Sequence, residues 1–260
     1  MQAAIAQGSS QPDTTGHLHG LTPEQQAQLR AIIAKDPQLL ARLNGEADRG
    51  FLSGFAIAEP GSKNLVGIYD PPTIILPANS FDTSNAHLAA TLRVQDMCIK
   101  FSRATDPAIN RQVQYQVVEN LQTVLNGSPA LAGQLRRAVT PPAPGQRAAL
   151  EQFAPLSGTV AGGTYDGNTR TISLPLTSLR HLGEGANFSE RDMTFVLGHE
   201  LQHSANYPRM LAAARTFTQE AGNIAYNSPQ PHDYTAPIGK GIDDARWDEG
   251  TAQLAGWNAI

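Results

Sequence analysis

FSERDMTFVLGHELQHSANY, residues 188–207, is the stretch on which the reading of this chain turns. It holds His199, Glu200 and His203 in the HExxH arrangement. Residues four apart lie one above the other on a helix face, so the two imidazoles converge on one ion while Glu200 borders the same space. Two histidines with a carboxylate suit Zn2+, one ion per chain, and a position left to water makes such a site catalytic rather than structural. The flanking residues predict the helix independently of the motif. Ser189 caps its first turn, Asp192 answers from the third position and Phe188 staples to Met193, while Met193, Val196, Leu197 and Leu201 form the stripe that fastens it to a core. Gly198 lets another backbone come close, and at the far end Asn206 reads as a cap and Pro208 as a stop.

Around this helix stand 260 residues, enough to bury a substantial core as one large domain or as a helical region followed by a catalytic one. A net charge of −4, with no run of lysine or arginine, argues against nucleic acid as the main partner. The single cysteine, Cys98, excludes an internal disulfide; beside Met97 and Ile99 it reads as a packed thiol. No run is long enough to span a bilayer, and the N-terminus has neither the basic start nor the apolar stretch of a signal peptide. The expectation is a soluble protein, cytoplasmic as made, whose export would need a dedicated secretion system.

Residues 1–20 are small and polar and read as a disordered leader, with His17 and His19 as surface histidines. Residues 21–140 read as a mainly helical region. Thr22 caps a helix with Pro23 at its first position, and a short helix from Pro37 to Leu43 ends near Asn44-Gly45. Leu65–Tyr69 and Thr73–Leu76 are β-like, a helix spans Asn85–Arg103, another opens at Asp106-Pro107 and ends at Asn126-Gly127, and a third covers Ala130–Val139. TPPAPG, residues 140–145, breaks the pattern and separates this region from residues 146–260. There a short helix over Gln146–Phe153 precedes a hairpin in which Asp166-Gly167-Asn168 turns between Thr164-Tyr165 and Arg170–Leu174. Gly67-Ile68-Tyr69-Asp70 followed by Thr73-Ile74-Ile75-Leu76-Pro77 echoes Gly163-Thr164-Tyr165-Asp166 followed by Thr171-Ile172-Ser173-Leu174-Pro175. Two similar strands of one sheet is the reading adopted for this echo, an ancient duplication the alternative. After the HExxH helix come a helix over Met210–Tyr226, a long proline-broken connection NSPQPHDYTAPIGKG that reads as a wall of the cleft, and a last helix capped by Asp243.

Two histidines hold zinc poorly alone, and Glu249 is the best third ligand. Ala245, Ala252 and Gly256 share its side of the last helix, and this small-residue face lets that helix approach the HExxH helix. With His199, Glu200 and His203 followed by Glu249, Gly250 and Ala252, the chain resembles the glutamate-zincin metallopeptidases, in which HExxH on one helix is completed by a glutamate on a later one. Trp247 two residues before Glu249, and Gln253 after it, depart from the aminopeptidase and thermolysin-like patterns. Asn206 and Arg209 stand where metzincins carry glycine and histidine.

The resemblance implies an α+β, mainly helical fold: a zincin-like catalytic domain with a small sheet and the HExxH helix as its active-site helix, acting on a peptide or protein substrate. It assigns Arg170–Leu174 to an edge strand that holds extended substrate. The chemistry expected is metal-assisted amide hydrolysis with Glu200 as general base. Tyr207, Tyr226, His232 and Tyr234 are candidates to stabilise the oxyanion, with His232 and Tyr234 favoured because their segment precedes the Glu249 helix. Asp243, Asp244 or Asp248 is expected to orient a ligand histidine. Two further readings stand beside a peptidase: a secreted bacterial effector or toxin that turns the same domain on a host, rival or cell-wall target, and a catalytically silent binding protein. Glu200 speaks against the last, since a purely structural zinc site has no use for a general base.

Overall fold

The computed structural model describes residues 18–105, 111–143, 145–156, 162–180 and 188–260. It is α+β and mostly helical, with small mixed sheets. Helix α1 (Pro23–Ala34) begins with a full capping box: Thr22 accepts from the Gln25 N–H while the Gln25 side chain accepts from the Thr22 N–H. Helix α2 (Pro37–Asp48) is capped by Asp36 and runs through Asn44-Gly45, the expected stop; Leu39, Leu43 and Glu46 are buried along it. Strand β1 (Leu18–His19) pairs antiparallel with β2 (Gly54–Ala58), so the end of the predicted leader already belongs to the fold. Residues 1–17, with His17, and the expected helix start at Asp106-Pro107 lie outside the described residues. Strand β2 runs parallel to β4 (Thr73–Leu76), which pairs antiparallel with β3 (Ile68–Asp70). Helices α3 (Asn85–Ala104), α4 (Arg111–Gly127) and α5 (Pro129–Val139) follow.

The predicted helix at Gln146–Phe153 is absent. Its last two residues begin β5 (Gln152–Leu156), which pairs in parallel with β7 (Thr171–Pro175) and packs on α3, a long-range partnership invisible to local pattern. Strand β6 (Thr164–Asp166) closes the predicted hairpin antiparallel to β7. The order β5-β7-β6 puts β7 in the middle of its sheet, so Arg170–Leu174 is not the edge strand that the resemblance assigns; β6, beside the metal motif, is. The two echoing hairpins lie in separate sheets, which overturns the reading of two strands of one sheet.

Helix α6 (Glu190–Asn227) does not stop at Asn206 or Pro208, and takes in the helix predicted over Met210–Tyr226; α7 (Thr235–Ala259) begins well before Asp243 and packs antiparallel along it. Pro208 leaves one carbonyl of the preceding turn without its N–H partner, a loss outweighed by the packing of the two helices. Buried side chains on both sides of residues 140–145 belong to one apolar cluster, from Leu29 and Leu43 through Leu121 to Ile172, Leu197 and Ala259. That proline-rich stretch therefore separates two sequence patterns that share one core. Cys98 is buried, and burial pushes its thiol up to about 12, which leaves it an inert packing group. Among the described residues no helix is long and apolar enough to cross a membrane.

Candidate metal centre

The N-terminal half of α6 has the predicted Ser189 cap, without the reciprocal bond expected from Asp192. The Ser189 hydroxyl accepts from the Asp192 N–H at 3.2 Å, and Met193, Leu197 and Leu201 are buried. Glycine and alanine line its closest contact with α7. A Cβ on Gly198 would lie 2.7 Å from Ala259 Cβ and 3.0 Å from the Ala255 carbonyl, and one on Gly256 would lie 2.8 Å from the Phe195 ring. Ala252, Ala255 and Ala259 are buried in the same seam, whereas Ala245 is exposed. At these small residues the helices approach closely, and this brings Glu249 to the two histidines.

His199 Nε2 and His203 Nε2 lie 3.0 Å apart. Glu249 reaches both: Oε2 is 3.7 Å from His199 Nε2 and Oε1 is 3.8 Å from His203 Nε2. One donor atom from each residue falls within 4.8 Å of the others. Two imidazole nitrogens with facing lone pairs repel unless a proton or cation sits between them, and the third donor is anionic. The arrangement therefore fits a cation, and its two nitrogens and one oxygen are a donor set that suits zinc. Burial, with His203 beside it, holds the His199 ring below the ordinary imidazole range, which keeps its nitrogen available.

Asp248 fixes the second histidine. Its Oδ2 lies 3.0 Å from His203 Nδ1, which makes Nδ1 the protonated nitrogen and leaves the Nε2 lone pair to the centre. Its Oδ1 accepts from the Asn206 amide at 2.7 Å, and the same amide donates to Thr251 Oγ1 at 2.8 Å. Of the three aspartates considered from sequence, Asp248 takes the orienting role. Asp244 meets Arg209 at 3.4 Å and Asp243 lies 3.7 Å from Arg246. Asn206, read as a helix cap, instead ties α6 to α7, and its place one turn beyond His203 was the available signal.

Glu200 is 7 % exposed and accepts a hydrogen bond from the Tyr165 N–H of β6. Burial is the main cause that pushes its carboxyl up to about 7; Glu249 and Asp248 add to this, while His203 and the Tyr165 N–H oppose it. Gly163 makes room here, since a Cβ would lie 2.8 Å from Val196 and 3.3 Å from Glu200 Cγ. A backbone N–H as partner leaves no trace in the residue types, so this tie could not be read from sequence.

The two favoured oxyanion candidates are not at the centre. His232 and Tyr234 sit in the connection between α6 and α7, their rings 6.1 Å apart. The expected wall of the cleft is mostly helix, and at 1.5 Å per residue about 20 Å of α7 separates Thr235 from Glu249. Tyr226 is 90 % exposed near the end of α6. Tyr207 alone of the four is close, one helical turn beyond His203, with its hydroxyl donating to Asn168 Oδ1 at 3.0 Å. No protein-family model, curated protein or solved structure matches this chain.

Proposed function

We propose that the chain is a zinc-dependent hydrolase of amide bonds in peptide or protein substrates, with His199, His203 and Glu249 as ligands and Glu200 as general base. The observation that carries this reading is the convergence of three donor atoms from two helices beside a buried carboxylate whose pKa is raised towards neutrality. A structural site would need no such carboxylate. Zinc, when bound, supplies a Lewis acid that polarises the scissile carbonyl and acidifies water.

The rest of the chemistry belongs to the chain. Glu200 removes a proton from the attacking water and returns it to the leaving nitrogen, a task suited to a carboxyl that titrates near neutral pH. The Tyr165 N–H holds Glu200 in place, and Asp248 keeps His203 in the tautomer that offers Nε2. The test is cleavage of a quenched-fluorescence peptide library by the zinc-loaded protein, compared with Glu200→Gln. Loss of cleavage with retained zinc supports the mechanism; equal cleavage by the variant contradicts it.

A further inference from the structure

The echo between the two hairpins extends to the strand and helices around them. After β2, β3 and β4 form the order β2-β4-β3, β5, β6 and β7 form β5-β7-β6, with the same parallel and antiparallel pairings. Registers match: Phe55 opposite Ile74 and Tyr69 opposite Ile74 in one sheet, Phe153 opposite Ile172 and Tyr165 opposite Ile172 in the other. The tyrosine hydroxyls do the same work, Tyr69 donating to the Phe51 carbonyl and Tyr165 to the Ala149 carbonyl, each at 2.7 Å. So do the Ser53 N–H, bonded to the Pro72 carbonyl, and the Glu151 N–H, bonded to the Arg170 carbonyl. Each sheet follows a helix pair whose second helix has its first turn capped and a proline at the start: Asp36 accepts from the Leu39 N–H, Ser128 from the Leu131 N–H. The buried positions coincide, with Leu29, Ile33, Leu39 and Leu43 answered by Leu121, Leu125, Leu131 and Leu135.

The helix after each sheet completes the match. Ser84 caps α3 by accepting from the His87 N–H, as Ser189 caps α6. Gly67 abuts Gln95 as Gly163 abuts Glu200. Counting from these caps, Leu88 and Leu92 fall on Met193 and Leu197, and Val94, Gln95 and Cys98 fall on His199, Glu200 and His203. Val94, Met97 and Cys98 are buried because α4, α5 and β5 cover α3, whereas the corresponding face of α6 meets α7 and is half-exposed. In the first copy the open edge of β3 is also closed. Gln122 of α4 bonds the Tyr69 N–H and, at 2.9 Å, the Tyr69 carbonyl; Asn126 accepts from the Val66 N–H and donates to the Gly67 carbonyl.

We propose that α1–α3 and α4–α6, each with its three strands, are tandem copies of one helix–helix–three-strand–helix unit, with β1, the C-terminal half of α6 and α7 lying outside the repeat. Its first copy carries Val94, Gln95 and Cys98 at the positions of His199, Glu200 and His203, and backbone groups at its β3 edge are bonded by Gln122 and Asn126. The inference stands on backbone and packing correspondences and does not depend on whether an ion binds. The test exchanges matched pieces. Replacing residues 67–77, GIYDPPTIILP, with the second copy's 163–175, GTYDGNTRTISLP, should leave a cooperatively unfolding protein with the parent's circular dichroism and a midpoint lowered by a few degrees. The same insert displaced by one residue should abolish cooperative unfolding, because a one-residue slip sends every strand side chain to the wrong face. If the in-register exchange fares no better than the displaced one, the copies are not equivalent and the proposal fails. A crystal structure of the in-register exchange gives a second, independent reading: superposing its two sheets must bring Gln95 onto Glu200 with Gln122 and Asn126 at the β3 edge, and a shifted helix match overturns the proposal.

Discussion

His203 is held from both ends, by Asp248 at Nδ1 and by the approach of His199 and Glu249 at Nε2. Asp248→Ala removes the partner that sets its tautomer, so zinc affinity should fall about 10- to 100-fold while the fold survives. Competition titration against a chelator of known affinity measures this, and unchanged affinity would remove Asp248 from the site. A second carboxylate serves stability. Burial opposes ionisation of Asp36, but the Leu39 N–H together with Arg93, whose Nη2 lies 2.8 Å away, holds its carboxyl below the ordinary range. A lowered folded pKa gives stabilisation that is complete above the unfolded value and disappears as pH falls through the folded one. Asp36→Ala should therefore cost about 1 kcal/mol at neutral pH, the worth of a helix cap, with the gap to the parent closing in acid. Urea unfolding at several pH values reads both.

At the scale of elements, the seam between α6 and α7 decides whether the centre exists. Gly256 abuts the Phe195 ring and carbonyl, and Gly198 abuts Ala255 and Ala259. Gly256→Ala should push the helices apart, cost about 1–3 kcal/mol as overpacking does, and weaken zinc binding because Glu249 rides on the displaced helix. Thermal unfolding with and without zinc measures both effects, and a variant with the parent's stability and affinity would contradict the close-packed seam. The sequence made part of this geometry legible. The cap at Ser189 and the glycines at 198 and 256 are local signals, and they located the motif helix and its partner, as the cap at Thr22 located α1. Other features depend on partners far along the chain. Helix α6 passes Pro208 because α7 packs on it, and β5 is a strand because β7 and α3 receive it. The stretch 227–241 reads as loop from its prolines, yet Pro237 falls in the first turn of α7, where a missing N–H costs nothing. That misreading carried His232 and Tyr234 into the expected site.

For the whole molecule, one core joins two similar units, and the candidate metal centre lies on the later one, on the helix face that the earlier one buries. An ion that binds only the folded chain should raise the unfolding midpoint with its concentration, and Glu249→Ala should lose most of that response. The central claim is that His199, His203 and Glu249 hold one zinc ion. The most direct measurement is zinc content per chain by elemental analysis, for the parent and for Glu249→Ala, after dialysis against a weak chelator. One zinc retained by the parent and lost from the variant is the predicted result; a parent that holds none under loading conditions, or a variant that keeps the parent's content, contradicts the three-ligand site.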